Sequence, residues 1–272
     1  MLDQASVWSS IDLPQEVDGL LRALLSAVQE ALADNLVGLY LRGSLATGDF
    51  SPASSDVDVL AVTERPVNEA EFAALAALHA RLALLANPYA NRMEMAYIDR
   101  TALKRFEPGS RHPTLGQGEA LAWSEHGTNW ILERWTLREH GVALLGPSPR
   151  ALIDPIESED LRAAVRTRLR DWADWADQPD DPDWRLPRRH KAYVVETMCR
   201  ALYTMARGEL PSKERAVVWA LQTLPEPWRS TVERSKAWRG DDTVDPTIVP
   251  EVMRFVHWAA DHGEEAVQGR LC

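Results

Sequence analysis

Two carboxylates, Asp56 and Asp58, stand at the head of an apolar run, DVDVLAV, and a Gly43-Ser44 pair precedes them with eleven residues between Ser44 and Asp56. On a strand, alternate side chains point the same way, so Asp56 and Asp58 share one face and Val57 and Val59 take the other. Side-by-side carboxylates repel and resist burial. A divalent cation removes both problems, and Mg²⁺ suits hard oxygen ligands, completing its shell with waters and phosphate oxygens. Gly43 permits close backbone approach, and exposed amides beside the Ser44 hydroxyl can hold phosphate oxygens. The spacing is not that of a P-loop, because no G-K-[ST] is present. The bland alternative is a pair of exposed edge aspartates without a role. A third carboxylate, Glu94, lies in RMEMAYI, where Arg92, Glu94 and Ala96 alternate with Met93, Met95 and Tyr97. If that face lines the same site, Glu94 is a metal ligand or a general base that draws a proton from an attacking hydroxyl. Otherwise it is solvated on an edge strand.

The elements that must position these groups follow from pattern. Helical spacing predicts an amphipathic helix over residues 15–34, and alternation predicts strands in NLVGLYLRGS, DVDVLAVT and NRMEMAYIDR. A second helix is expected over residues 68–87 with Asn68 as its N-cap. Residues 101–120 read as a loop. Beyond residue 120 the segments from GTNWILERWTLREHG to PEVMRFVHWAADHGEEAVQG read as helices, several starting at Ser, Thr or Pro and ending at Gly. The Pro- and Gly-rich stretch HGVALLGPSPRALIDPIE sets a domain boundary near residue 150, giving domains 1–150 and 151–272. The fold class expected is α+β: a small α/β domain followed by an all-helical one.

Composition narrows the function classes. With 45% hydrophobic and 26% charged residues among 272, the chain has material for a full core. A net charge of -11 argues against nonspecific nucleic-acid binding. No apolar run approaches a membrane span, and the first nineteen residues lack the charge and apolar blocks of a signal peptide. Cys199 and Cys272 are the only cysteines, so a cytoplasmic protein without disulfides is expected. The histidines His112, His126, His140 and His190 show no zinc spacing; His140 falls at a helix C-terminus, and His126 and His190 are cleft candidates. The tryptophans, 11 in all, recur at helical spacing (Trp130 and Trp135, Trp172 and Trp175) and read as packing, as Cys199 does.

RGSLATGDFSPASSDVDVLAV resembles the Gly-Ser…Asp-x-Asp signature of the polymerase-β-like nucleotidyltransferases. The likeness continues through MEMAYI, LREHGVALLGP, TMCRALYTMARGELPSKERAVVWAL and AWRGDD. In order and spacing these are similar to the aminoglycoside adenylyltransferases that modify streptomycin and spectinomycin. The resemblance implies an N-terminal nucleotidyltransferase domain, a C-terminal helical bundle and an active site between them, with AMP passed from ATP to a drug hydroxyl. By matching positions it implies that Asp56 and Asp58 bind Mg²⁺, that Gly43, Ser44 and Ser55 contact ATP phosphates, and that Glu94 is the base. It also implies that Arg200 and Lys213 reach the triphosphate and that Trp238 lies near the nucleotide. Unaided, Lys213 reads as a surface lysine at a helix start and Arg200 as a solvated helix arginine.

One stretch departs from the family. Its streptomycin enzymes carry acidic residues near the start of the helix that here opens with Arg188, Arg189, His190 and Lys191, a basic run expected to repel a guanidinium-bearing drug. Trp123 or Trp130 is available to replace the family's acceptor-side tryptophan. The expected partners are ATP and a small-molecule hydroxyl acceptor, aminoglycoside-like and spectinomycin-like before streptomycin-like, with the chain monomeric, off the membrane and not bound to nucleic acid. Two alternatives stand beside this: the same chemistry on a protein or RNA target, and a non-catalytic nucleotide-binding sensor.

Overall fold

The computed structural model describes residues 13–52 and 55–269, so the start of the chain and Cys272 lie outside the described residues. The chain divides into two compact units, residues 1–155 and 156–272.

The first unit is built on a six-stranded sheet in the order β5-β4-β3-β2-β1-β6. Its strands are β1 (Leu36–Leu41), β2 (Val57–Thr63), β3 (Met93–Asp99), β4 (Arg111–Leu115), β5 (Ala122–Glu125) and β6 (Val142–Leu145). β2 and β3 are parallel and the other neighbours antiparallel. Parallel strands need a crossover, and α3 (Glu69–Leu82) supplies it. Asn68 caps α3 in a reciprocal box with Glu71, as its position in the sequence predicts. α1 (Gln15–Leu32) buries Val17, Leu20, Leu21, Leu24, Val28 and Leu32, one stripe at helical spacing. α1 and α3 share a core with Leu39, Leu41, Val57, Val59, Ala61, Met93, Met95 and Tyr97. Because strand side chains alternate, that core fixes which residues face the other way.

Two expectations change here. α3 ends at Leu82 rather than continuing to residue 87, and Leu84 and Leu85 beyond it are exposed. Residues 101–120 are not a plain loop: they contain the end of α4 (Arg100–Lys104), capped by Asp99, and the strand β4. Pro113 inside β4 hid that strand, since proline removes a ladder donor and argues against a strand assignment.

The second unit is helical: α6 (Ser158–Ala176), α7 (Arg188–Arg207), α8 (Lys213–Thr223), α9 (Trp228–Ser235) and α10 (Val249–Val267). α5 (Asn129–His140) belongs to the first unit, and His140 is its last residue. α7 is the central helix of the second unit, packing on α6, α8, α9 and α10. It buries Val194, Val195, Met198, Cys199 and Leu202. The fold class is therefore α+β, as expected. No helix among the described residues is long and apolar enough to cross a membrane.

Candidate active site

The register of β2 on β3 pairs Asp58 with Glu94, between Val57 with Met93 and Val59 with Met95. Since those flanking residues face the core, Asp58 and Glu94 stand side by side on the opposite face. Asp56 lies one residue before β2, at the mouth of the strand rather than within it. Its Oδ1 accepts from Gln117 Nε2 at 3.0 Å, and Arg92 Nε lies 3.8 Å away. Arg92 also donates to the carbonyls of Pro52 and Ser55, so the residue two before Glu94 braces the loop that carries Asp56.

The Gly43-Ser44 turn is a single helical turn, α2 (Gly43–Thr47). Gly43 has φ +61°, and an added Cβ would collide with the Asp58 carboxylate. Only glycine meets both demands. Ser44 is half-buried in that turn. Ser55 closes the loop on its other side, its hydroxyl accepting from Ser51 N at 2.9 Å.

Behind these groups lies Arg42, 7% exposed. Its guanidinium is 2.6 Å from Glu133, 3.5 Å from Asp58 and 3.9 Å from Glu94, and it sits over the Trp130 ring at 5.8 Å. Burial alone would lower its pKa, but Glu133, Asp58 and Glu94 together hold it above its ordinary value. It is a fixed positive charge. The Glu94 carboxyl is pushed up to about 7, first by burial and then by Asp58, with Asp56 and Glu133 adding to the push and Arg42 opposing it. Desolvation together with a named charge partner makes Glu94 a functional-site candidate.

Sequence reasoning missed Arg42, Glu133 and Gln117. Arg42 carried a signal, a charge closing the apolar strand LVGLYL directly before Gly-Ser. Glu133 carried none, being one polar residue on a helix 91 positions away. His126, a cleft candidate, is instead packing: it is 1% exposed and stacks on Trp130 with ring centroids 3.5 Å apart. Burial first, then His112 and two arginines, push its pKa down to about 3, so it is neutral. Trp123 is partly exposed and stacks on Phe72.

In the second unit, Lys213 is the first residue of α8, after the N-cap Ser212, and its Nζ lies 5.7 Å from the Tyr193 ring centroid. Arg200, half-buried on α7, donates from Nε to the Pro211 carbonyl at 3.3 Å. Trp238 is 6% exposed in a short 3₁₀ turn packed on α7 and α9. The basic run at the start of α7 is neutralised within the unit. Arg188 is held by Asp241 and Asp245, and Arg189 pairs with Asp242. Lys191 is buried and donates to the carbonyls of Asp183 and Leu186. The expected repulsion of a guanidinium by this run loses its basis. His190, the other cleft candidate, is half-buried between Trp175 and Tyr193, and burial lowers its pKa.

Among the described residues no group of three or more His, Cys, Asp or Glu side chains is gathered to hold a metal alone. Mg²⁺ does not need one. It is commonly held by one or two carboxylates and the substrate's phosphates, and Asp56 and Asp58 offer hard oxygens whose charge already strains Glu94.

A Gly-Ser turn, an Asp-x-Asp strand head and a third carboxylate on the parallel neighbour define a nucleotidyltransferase, and residues 21–107 match the nucleotidyltransferase domain family. Residues 151–262 match the family described as aminoglycoside adenylyltransferase, C-terminal domain. The chain is an enzyme of the nucleotidyltransferase class, and its second unit is similar to the C-terminal domain of the aminoglycoside adenylyltransferases. It is 26% identical over 256 residues to an aminoglycoside (3'') (9) adenylyltransferase of Shigella flexneri, covering 89% of this chain and 93% of that one. It is 22% identical over 231 residues to a spectinomycin 9-adenylyltransferase of Staphylococcus aureus, covering 80% and 83%. Its fold matches the crystal structure of spectinomycin adenyltransferase AAD(9) from Enterococcus faecialis with ATP and spectinomycin. That match has a TM-score of 0.71 at 17% identity and covers 90% of this chain and 98% of the other.

Proposed function

We propose that this enzyme transfers AMP from ATP to a hydroxyl of a small aminoglycoside-like or spectinomycin-like acceptor, with Mg²⁺ as cofactor. The observation that carries the proposal is the side-by-side placement of Asp58 and Glu94 on the sheet face opposite Val57, Val59, Met93 and Met95, with Asp56 at the strand mouth.

In this reading Asp56 and Asp58 hold Mg²⁺, with Glu94 close enough in sequence register to share it. The ion supplies charge neutralisation on the triphosphate. Amides of the turn at Gly43, with the Ser44 and Ser55 hydroxyls, bind phosphate oxygens. Arg200 and Lys213 are proposed to contact the triphosphate on the strength of the resemblance. Trp238 is proposed, on the same strength, to lie near the nucleotide. Glu94 takes the proton of the acceptor hydroxyl as that oxygen bonds to the α-phosphorus. The bond from the α-phosphorus to the bridging oxygen breaks, and pyrophosphate leaves with its electron pair. The Glu94 carboxyl, pushed up to about 7, is basic enough to accept a proton near neutrality.

The test is a transfer assay with Mg²⁺, ATP and either spectinomycin or streptomycin, reading pyrophosphate and acceptor mass against an Asp56→Asn/Asp58→Asn double variant. An acceptor heavier by one AMP, absent with the variant and after chelation, is the expected result. ATP binding with no transfer to either drug would remove the drug acceptor and turn attention to protein or RNA targets.

A further inference from the structure

We propose that Arg42 is a positioning residue of the transfer site: a resident cation, anchored by Glu133, that holds Asp58 and Glu94 in place before nucleotide arrives and lets the divalent metal enter only together with the nucleotide. The inference rests on the adenylyltransferase reading above.

The geometry makes the case. One guanidinium reaches three carboxylates that come from three elements: Glu133 on α5, Asp58 on β2 and Glu94 on β3. The tightest contact, 2.6 Å, is to Glu133, so the anchor is α5 and the two site carboxylates sit at looser distances. α5 is itself fixed, because its buried Arg134 donates to the carbonyls of Ala102 and Leu103 on α4. The backbone amide of Arg42 donates to the Asp58 carbonyl at 3.0 Å, which ties the cation and the carboxylate through main chain and side chain at once. The Arg42 Nε is buried with no hydrogen-bond partner. A buried donor without a partner is a cost, and an arginine kept only for fold stability has no reason to bear it. The Trp130 ring, stacked on His126, closes the space behind the guanidinium.

Two consequences follow from charge alone. Without Arg42, the carboxylates of Asp58, Glu94 and Glu133 lose the cation they share, and the site takes up free Mg²⁺ more readily. With Arg42, the carboxylates are already partly neutralised, so free Mg²⁺ gains little; the triphosphate's own negative charge is needed to bring the ion in.

The experiment uses the full chain with Arg42→Gln, Arg42→Lys and Glu133→Gln. The probes are MgCl₂ alone and MgCl₂ with a non-hydrolysable α,β-methylene ATP analogue, read as shifts in melting temperature. The expected wild type moves little with Mg²⁺ alone and clearly with the pair. Arg42→Gln is expected to respond to Mg²⁺ alone, while its transfer rate falls roughly 10- to 100-fold, as for other groups that orient metal ligands. Arg42→Lys restores the weak response to free Mg²⁺ but only part of the rate, because a point charge cannot bridge three carboxylates as a fork does. An Arg42→Gln protein with a native near-ultraviolet dichroism spectrum, the wild-type Mg²⁺ response and the wild-type rate overturns the inference. If Arg42→Gln does not fold, Glu133→Gln decides. With the anchor neutralised, the guanidinium turns fully to Asp58 and Glu94, so half-maximal transfer needs more Mg²⁺; an unchanged Mg²⁺ requirement overturns the inference. A wild-type chain indifferent to Mg²⁺ with the analogue refutes the adenylyltransferase reading itself, whereas a responsive wild type matched by Arg42→Gln refutes the role of Arg42 alone.

Discussion

Asp58 and Glu94 are direct partners in a parallel ladder, and the Asp58 charge is one of the causes that raise the Glu94 pKa. A carboxylate meant only to solvate an edge would not be built against another. Replacing Glu94 with Gln keeps the shape and removes the base. The transfer rate is expected to fall about 10²- to 10⁴-fold while ATP affinity, measured by calorimetry, stays within a few-fold. Loss of binding in parallel with rate would assign Glu94 to the metal rather than to the proton.

The same residue predicts a pH dependence of stability. Its carboxyl stands at about 7 in the folded chain against 4.5 ordinarily, so the folded state favours the proton. The stability this group contributes is full below about pH 4.5 and is lost as pH rises through about 7. Glu94→Gln should therefore melt higher than wild type at pH 8, and the gap should shrink toward pH 5. A gap that widens on acidification would contradict the assignment. For the free enzyme, kcat/KM should fall on the acid side of neutrality as the base is protonated.

Gly43→Ala tests the turn. The residue holds φ +61°, and a methyl group would press on the Asp58 carboxylate. The left-handed backbone alone costs an alanine about 1–2 kcal/mol, and displacement of Asp58 should abolish transfer. A thermal melt and the pyrophosphate assay read the two effects separately, and an active Gly43→Ala would show that the turn tolerates a side chain.

Lys213→Ala separates a surface residue from a triphosphate contact. Lys213 is exposed, its ammonium 5.7 Å from the Tyr193 ring centroid, so the melting temperature should not move. Loss of a charge-assisted contact to ATP, about 1.5–3 kcal/mol, lowers kcat/KM for ATP roughly 10- to 150-fold. An unchanged value would return Lys213 to the solvated helix start that its sequence position suggests.

Much of the architecture was legible because it rests on local rules. The α1 stripe, the Asn68 cap and the alternation in β2 and β3 are each set by a few neighbouring residues. The pairing of Asp58 with Glu94 was legible in part, since both break apolar runs where a charge needs a reason. What stayed hidden depends on contacts distant in sequence. Glu133 becomes part of the site only when α5 folds back beside the Gly43 turn, and Gln117 only when the chain after β4 approaches Asp56. The charge of the Arg188–Lys191 run was visible, but its partners Asp241, Asp242 and Asp245 lie some fifty residues on, so its neutralisation was not. Pro113 concealed β4 for the opposite reason, a local rule overridden by sheet pairing.

The parallel register of β2 on β3 also gives the chain a way to reject its own misfolding. A slip of one residue reverses the face of every side chain on β3. Glu94 would then enter the layer occupied by Leu75, Leu78 and Val59, and Met93 and Met95 would turn outward. A lone carboxylate in that layer is strongly unfavourable, so the slipped form is discarded by instability before it can persist as a folded but inactive species. The residue proposed to do the chemistry thus also penalises the shifted register, because only the native pairing keeps its carboxylate out of the apolar layer.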